Sequence, residues 1–573
     1  MHQDQHLPET TAADLEAQLP VRPTSSHSRR AFLGRLGAVT AASAAMGLTG
    51  PALDGKPAAA RAAGFSGATS FARRRAQAFN LRVAAARFQK DQFSFSHPDN
   101  GDEALYADRN YFASYSKGLP HNDLGEVDPQ AYRALLKAIR SGRFEDFEAI
   151  PLGGTRKLDN PAATYSFELE GQDAWGLTLP PVPTFASAEF AAEVVENYWA
   201  ALVRDVPYAA YDSDPLIAAA CEDLSRFSDF RGPKDNGRVT PATFARTGLP
   251  GELSGPLVSQ LLLYDIPAIG PRAPVTQKGL FQVAGAEFLT TYAEWLNVQR
   301  GNSGSGKSSS DTEARYLYNG RAQGDYQRGA TSVQFVGDVG RILWDLGSEA
   351  LDPANPYLNS RTQDPAATFG EADLLGLIAL VANLAGKATL FQKWIVHRRP
   401  RSEAAGGRVH NQLIGAANYP FNSELFDSSV FEQVFSRYGT YLLPTPQPSG
   451  AGLEPSYPPT SVIVTAGAAT LMKAFFDEAY VLPDPVVPSA DGRSLEPYQG
   501  SEALTIGGEL NKMVGNDAYA RLWRTGHYRS CSVAAIQLGE AIALNVLKGR
   551  KALYGEPFAG FTLTRFDGTT VTI

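Results

Sequence analysis

The segment that most constrains the fold is ADLLGLIALVANLAGKATLFQKWIV, residues 372–396, which is apolar on nearly all sides at helical spacing. A helix that is apolar all round is buried inside a protein rather than laid on its surface. The segment therefore predicts a central helix, with the rest of the chain packed around it.

Helical patterns also dominate elsewhere. They cover residues 71–92, 187–205, 462–480 and 532–549. The segment 462–480 is rich in Ala, Gly and Thr, which predicts close approach by a neighbouring helix. Strand signal is confined to the C-terminus, where Asp567-Gly568 separates two alternating runs and predicts a hairpin over 560–573. We expect a mainly α, single domain over 64–573, with long Pro/Gly-rich loops and this terminal hairpin.

The N-terminus carries a targeting pattern. SSHSRRAFLGRL, residues 25–36, has two adjacent arginines, and a modest apolar region and small-residue cleavage sites near 58–63 follow it. This pattern is typical of a twin-arginine export signal, and the alternative is a disordered basic N-terminus. The prediction is that 1–63 is a signal region and that the protein folds in the cytoplasm before export. No later segment is expected to span a membrane, which takes about 18 apolar residues.

Composition excludes several classes of function. The formal net charge of −8 argues against a nucleic-acid-binding surface. Two cysteines, Cys221 and Cys531, cannot build a disulfide framework, and histidines are too sparse for a multi-histidine metal site. GNSGSGKS, residues 301–308, fits the phosphate-loop pattern, but no buried strand precedes it, so we expect a surface loop.

A basic cluster follows the apolar segment. KWIVHRRPRSEAAGG, residues 393–407, places Lys393, His397, Arg398, Arg399 and Arg401 within nine residues. Lys393, His397 and Arg401 are four apart and would share a face if the helix extends that far. Buried cations need a counter-charge, so the cluster predicts either a structural ion-pair hub or a site for an oxyanion or carbonyl oxygen.

Two later segments have related character. RLWRTGHYRSCS, residues 521–532, supplies Arg521 and His527 just before a helix, where an anion is favoured. EPSYPPTSVIV, residues 454–464, also enters a helix. The three segments together suggest one site assembled from distant parts of the chain.

These motifs resemble a known family. K-W-x-V-H-R-x-x-R-x-E-A-x-G-G, a downstream S-Y-P and R-x5-H-Y-R-S are similar to the vanadium-dependent haloperoxidases, in the branch of algal bromoperoxidases and bacterial chloroperoxidases. Residues 118–138 and the final FDGTTVTI share the resemblance, which covers most of 64–573. It implies paired helical bundles of the haloperoxidase/acid phosphatase type and a homodimer.

The resemblance also implies residue roles. Lys393, Arg401 and Arg521 correspond to the cations that hold vanadate, and His527 corresponds to the vanadium ligand. Arg398 and Arg399 fall outside that set and are expected to form salt bridges, while His397 is expected to be structural.

One part of the motif departs from the family. Where the family has Ser, Gly and an acid–base His after Tyr-Pro, this chain has Pro459, Thr460 and Ser461, or Val462 in the histidine position if the alignment is anchored on Gly467. Pro459 has no N–H to donate. Vanadate could bind only weakly and peroxide activation should be impaired, which leaves a cationic cavity without a tightly held anion.

The chain thus resembles haloperoxidase homologues that work without vanadate and catalyse an α-hydroxyketone (acyloin) rearrangement, shifting a prenyl group on a naphthoquinone-derived meroterpenoid. No cofactor is then required. His527 is the expected base and Lys393 the carbonyl partner, with Arg401, Arg521 and Thr460 binding the substrate oxygen and Ser461 and Glu454 handling protons. The alternatives are a vanadate-using haloperoxidase with vanadium on His527, and a non-catalytic partner subunit.

Overall fold

The structure, a computed structural model, describes residues 71–268, 270–329 and 332–573, and helices dominate it. The helices are α1 Phe71–Asp91, α2 Asp102–Leu105, α3 Pro129–Ser141, α4 Phe144–Glu148, α5 Ala188–Val203, α6 Pro215–Arg226, α7 Tyr292–Gln299, α8 Gly320–Gly329, α9 Ser332–Asp345, α10 Glu371–Leu390, α11 Ser402–Leu413, α12 Val430–Tyr438, α13 Thr460–Phe475, α14 Ile506–Trp523 and α15 Arg529–Lys551. A π-helical segment, Phe391–His397, continues α10.

The β-structure of the described residues is two antiparallel hairpins. Strands β1 Val486–Pro488 and β2 Leu495–Pro497 form the first, which the sequence does not predict. Strands β3 Thr562–Thr564 and β4 Thr570–Thr572 form the second, in the register Leu563 with Val571. The terminal hairpin and the mainly α fold are confirmed.

The helices pack as two groups. One group surrounds α13 and contains α9, α10, α14 and α15, while the other surrounds α5 and contains α6, α11 and α12. Helix α14 contacts both α5 and α13. This arrangement agrees with the predicted paired bundles.

Helices α13 and α15 approach closely, as the small residues of α13 predict. A Cβ placed on Gly467 would lie 3.1 Å from the carbonyl oxygen of Gly539, and one on Gly539 would lie 2.9 Å from the backbone nitrogen of Gly467. The two glycines therefore permit backbone contact between the helices. This contact fixes the direction in which α13 leaves the loop before it.

Two further predictions have a structural outcome. The segment 301–308 is a loop after α7, and neither a strand before it nor a helix directly after it is present, so the phosphate-loop pattern is coincidental.

By length and composition, Glu371–Leu413 and Arg529–Lys551 could each cross a membrane, with 50% and 72% of their apolar windows buried inside the protein. The prediction that no segment is long enough is therefore wrong, although a buried core helix passes the same test.

The predicted domain limits rest partly on the leader. The twin-arginine region, residues 1–63, lies outside the described residues. The described chain belongs to one compact unit, Phe65–Ile573.

Candidate functional site

Two buried cations converge on one carboxylate. Lys393 lies in the π-helical segment, and Arg401 directly precedes α11. The Lys393 ammonium and the Arg401 Nη2 (3.1 Å) both donate to the Glu454 Oε1. Arg401 Nε also donates to the Glu454 backbone oxygen at 2.8 Å. The side chain of Lys393 is 1% exposed and that of Glu454 is 22% exposed, so solvent reaches the pair through the carboxylate.

His527 completes this set from the loop between α14 and α15. Its Nε2 lies 2.6 Å from Arg401 Nη1, and its Nδ1 lies 2.5 Å from the Ser456 carbonyl oxygen. A guanidinium can only donate, so Nε2 accepts and Nδ1 carries the proton. His527 is therefore held as one neutral tautomer. We call Lys393, Arg401, Glu454 and His527 the Glu454 cluster.

Burial and charge set the pKa values in the Glu454 cluster. Burial, and then the charges of Arg401 and Lys393, hold the pKa of His527 well below 6.5. Burial lowers the pKa of Lys393 to about 8, although Glu454 opposes the shift. Burial by itself would raise the pKa of Glu454, but the Lys393 and Arg401 charges outweigh it and hold that pKa below its usual range. At neutral pH the cluster therefore contains two cations, one carboxylate and one neutral imidazole.

Arg521 lies in the last turn of α14. Its charge is close enough to His527 to help lower the pKa of that imidazole. Its Nη2 donates to Asp517 Oδ1 at 2.7 Å, while its buried Nε has no partner. Asp517 Oδ2 accepts from Thr465 Oγ1 at 2.8 Å. The third predicted cation thus has its own carboxylate.

Thr460 and Ser461 open helix α13. Ser461 Oγ is buried without a hydrogen-bond partner, and the Ser461 carbonyl accepts from Thr465 Oγ1 at 3.0 Å. The structure brings Lys393, Arg401, Glu454 and His527 into one hydrogen-bonded set. It gives Thr460 and Ser461 no hydrogen bond to that set among the described residues.

The proposed common helical face is wrong. The helix ends at His397, and Arg398 has a left-handed backbone (φ 34°), so Arg401 belongs to the next element. Lys393 and Arg401 meet through Glu454 instead. His397 packs edge-on against Tyr457 at 4.6 Å between ring centroids, away from the hydrogen bonds of the Glu454 cluster.

Arg398 and Arg399 form the salt bridges that the sequence predicts. Arg398 Nη2 donates to Glu103 Oε1 at 2.8 Å. Arg399 Nη2 donates to Glu193 Oε2 at 2.7 Å, and its guanidinium carbon lies 4.0 Å from the ring centroid of Tyr528. Both arginines are therefore structural, as expected.

The two cysteines remain separate. Cys221 and Cys531 are both free and buried. Arg399 Nη1 lies 3.2 Å from Cys531 Sγ, so this cysteine contacts a structural arginine.

A small cleft lies beside the same stretch, and sequence reasoning missed it. His397, Arg398 and Arg399 contribute to its lining, together with Phe185 and Phe190. No member of the Glu454 cluster lines it. Both ring nitrogens of His397 are buried without a partner there, and burial lowers the pKa of His397 to about 3.

The loop that carries Glu454 is fixed by residues that the sequence did not single out. Glu403 accepts from Lys117 and, at 2.7 Å, from the backbone N–H of Ala451. Lys117 Nζ also donates to the Ser449 and Ala451 carbonyls at 3.0 and 2.7 Å. Gly450 has φ +58°, and a Cβ there would collide with the Glu403 carboxylate. This buried ion pair therefore dictates the path of the loop.

A second carboxylate holds the same loop closer to Glu454. Asp159 Oδ2 accepts from the Leu453 N–H at 2.9 Å, and the Asp159 N–H donates to the Leu453 carbonyl, also at 2.9 Å. Burial raises the pKa of Asp159, and the nearby Glu454 charge adds to the shift. The backbone of Glu454 is thus anchored through Leu453 on one side and Arg401 on the other.

Known proteins share this architecture. A vanadium-dependent bromoperoxidase from Ascophyllum nodosum is 31% identical over 536 residues, covering 87% of this chain and 93% of the relative. One from Corallina officinalis is 28% identical over 585 residues, covering 86% and 98%. The solved structure of a homohexameric vanadate-dependent bromoperoxidase from Ascophyllum nodosum has a TM-score of 0.83 and 25% identity, covering 91% of this chain and 93% of that one. No protein-family model matches the sequence.

The helical fold is that of the vanadate-dependent bromoperoxidase structure to which it is similar. The chain belongs to the vanadium-dependent bromoperoxidase family.

The Glu454 cluster does not fit vanadate as it stands. Lys393 and Arg401 both donate to the Glu454 carboxylate, which already supplies the negative charge that an oxyanion would bring. His527 Nε2, the one acceptor nitrogen of the neutral imidazole, already accepts from Arg401. The sequence predicts a cationic cavity without a tightly held anion, and in the structure the Glu454 carboxylate lies against both cations.

Proposed function

We propose that the protein is a vanadate-independent member of its family that catalyses an acyloin rearrangement, a 1,2-shift of a prenyl group on a naphthoquinone-derived substrate. The observation that carries the proposal is the Glu454 cluster, in which a carboxylate pairs with both cations and a neutral histidine lies beside them. Ser461 or Val462 stands where the family has its acid–base histidine. An isomerisation needs neither oxidant nor metal.

The reaction starts at the α-hydroxyl group. His527 Nε2 takes the hydroxyl proton, for which Arg401 Nη1 must turn from the imidazole to the substrate oxygen. Cations that lower the pKa of His527 also lower that of a hydroxyl bound beside them, so the proton transfer is not opposed on balance. Arg401 and Arg521 stabilise the developing alkoxide, and the site acts as a set of preorganised donors.

The shift itself conserves atoms and electrons. The alkoxide oxygen forms a new C=O bond while the bond from its carbon to the prenyl group breaks. The prenyl group moves with that electron pair to the adjacent carbonyl carbon, whose π pair passes to oxygen. Lys393 donates a hydrogen bond to this oxygen, and His527 returns the proton. The product is an isomer of the substrate.

The test uses metal-stripped protein and a hydroxylated prenyl-naphthoquinone. We expect conversion to an isomer of equal mass, and a loss of at least about 100-fold in kcat for His527→Ala, which removes general-base catalysis. His410→Ala is the matched control, because His410 is buried and the lowering of its pKa comes from burial alone. If His527→Ala retains full activity, His527 is not the base. If the wild type shows no conversion, the function is wrong.

The second candidate function is vanadium-dependent chlorination or bromination of a meroterpenoid. It is favoured by the names of the relatives and by the retained set of Lys393, Arg401, Arg521 and His527. A vanadate titration with a bromination assay separates the two functions. Robust vanadate-dependent bromination would replace the rearrangement as the function.

We further propose that the protein assembles as a homo-oligomer. Large apolar side chains are strongly exposed in the described chain, among them Phe95 (90%), Phe167 (84%) and Leu169 (104%). The similar bromoperoxidase structure from Ascophyllum nodosum is homohexameric, whereas the family resemblance implied a homodimer. Light scattering distinguishes a dimer from a hexamer, and a monomer at micromolar concentration would contradict the proposal.

We also propose that the protein is exported by the twin-arginine route. Cell fractionation after Arg29→Lys/Arg30→Lys substitution tests this proposal.

A further inference from the structure

The backbone around Glu454 is held in place by hydrogen bonds. Arg401 Nε donates to its backbone oxygen at 2.8 Å, and Asp159 binds the preceding N–H of Leu453 at 2.9 Å. The Lys117–Glu403 pair holds the loop three to five residues upstream of Glu454. The carboxylate therefore reaches Lys393 and Arg401 from a fixed backbone, with little loss of freedom on forming the contacts.

The groups around Glu454 are those of an oxyanion site. Lys393 and Arg401 are buried donors that a bound anion would need to satisfy. Two more buried polar atoms, Arg521 Nε and Ser461 Oγ, have no partner. Buried polar groups usually have partners, so both atoms have unused capacity for hydrogen bonding, and the charge of Arg521 acts on His527 of the Glu454 cluster.

Charge determines what the site accepts. Glu454 neutralises one of the two cations that it contacts, and Asp517 neutralises Arg521. A tetrahedral oxyanion would have to displace the Glu454 carboxylate and then lie beside it. Like charges at contact distance in a buried site repel strongly, so an ionised Glu454 opposes the binding of a free oxyanion.

We propose that Glu454 is an internal anion that keeps tetrahedral oxyanions out of the site, and that its removal creates a binding site for orthophosphate and orthovanadate. An internal anion at this position explains how the protein works as a catalyst without vanadate. That biological meaning, but not the predicted binding of anions, rests on the proposed function. Glu454 is thereby a specificity-determining residue. The binding site that it masks consists of Lys393, Arg401 and the unpartnered nitrogen of Arg521.

The test compares anion binding by the wild type and by Glu454→Gln. Calorimetry with orthophosphate and vanadium-51 NMR with orthovanadate report binding without an activity assay. Each charge-assisted hydrogen bond that is freed strengthens binding by about tenfold or more, so the two donors predict at least a roughly 100-fold gain in the variant. Glu454→Gln/Lys393→Met should lose most of that gain.

Asp159→Asn is the matched control. Asp159 is a nearby carboxylate whose charge interacts with Lys393 and Arg401, but it occupies neither cation's donors. We expect a small gain in anion affinity for Asp159→Asn and a large gain for Glu454→Gln. Equal gains would overturn the proposal, because general charge rather than occupied donors would then control binding.

The wild type supplies a test that no folding defect can obscure. If it binds orthophosphate or orthovanadate as tightly as Glu454→Gln or Glu454→Ala, the proposal is overturned. The rearrangement assay, run without either anion, decides the proposed function separately. A wild type that rearranges substrate and also binds vanadate tightly would refute the role of Glu454 alone.

Discussion

The pH dependence of the proposed rearrangement should report on Lys393. Burial lowers the pKa of its ammonium to about 8, and below that pH the group is charged and can stabilise the substrate oxygen. Above pH 8 the neutral amine dominates, so kcat/KM should fall about tenfold per pH unit. His527 has a pKa held well below 6.5, so it stays a neutral base and no loss is expected between pH 6.5 and 8.

Two variants assign the alkaline limb. Lys393→Arg keeps the charge at all accessible pH values, since a guanidinium has a pKa above about 12, and should abolish the limb even if its overall rate is lower. Glu454→Gln removes the charge that raises the pKa of Lys393 and should move the limb below pH 8. The measurement is kcat/KM of rearrangement from pH 6 to 10.

Two outcomes would contradict the assignment of the alkaline limb to Lys393. A limb that persists unchanged in Lys393→Arg belongs to the substrate or to another residue. A profile that is flat to pH 10 in the wild type shows that the charge on Lys393 is not needed.

Further predictions concern stability. Glu193→Gln removes the counter-charge of the buried Arg399 and should lower the free energy of unfolding by about 3–5 kcal/mol. The control is Glu189→Gln on the same helix, which removes a half-exposed ion pair with Arg231 at 3.9 Å and should cost less than about 1 kcal/mol. Equal costs in urea titrations would show that burial does not control the energy of these pairs. Gly450→Ala should destabilise by more than about 1 kcal/mol, because φ is positive and the new methyl group meets Glu403. A rearrangement rate unchanged in Gly450→Ala would show that this loop does not position the site.

The sequence predicts the helices that have a continuous apolar pattern and misses α14. That helix is buried on all sides, and its polar residues are paired inside the protein: Glu509 Oε2 accepts from the Gln260 N–H at 2.7 Å and Asn516 Oδ1 from the Ser259 N–H at 2.9 Å. With polar and apolar residues on every face, no helical periodicity remains to detect. Strands β1 and β2 are three residues each in a Pro-rich stretch, which is too short for an alternating pattern.

The sequence likewise predicts one part of the candidate site and misses another. Motif resemblance brings Lys393, Arg401 and His527 together correctly, because their spacing within short segments is characteristic. The dominant role of Glu454 depends on the path of a loop about sixty residues away, and Glu403 and Asp159 determine that path by long-range contacts. Such contacts leave no periodic signal in one sequence.

The central claim is tested most directly by following one reaction by NMR with metal-stripped wild-type protein, with and without added vanadate and hydrogen peroxide. The account predicts that a hydroxylated prenyl-naphthoquinone converts to a prenyl-shifted isomer at the same rate under both conditions. Conversion that requires vanadate and peroxide, or a brominated product when bromide is present, would contradict it.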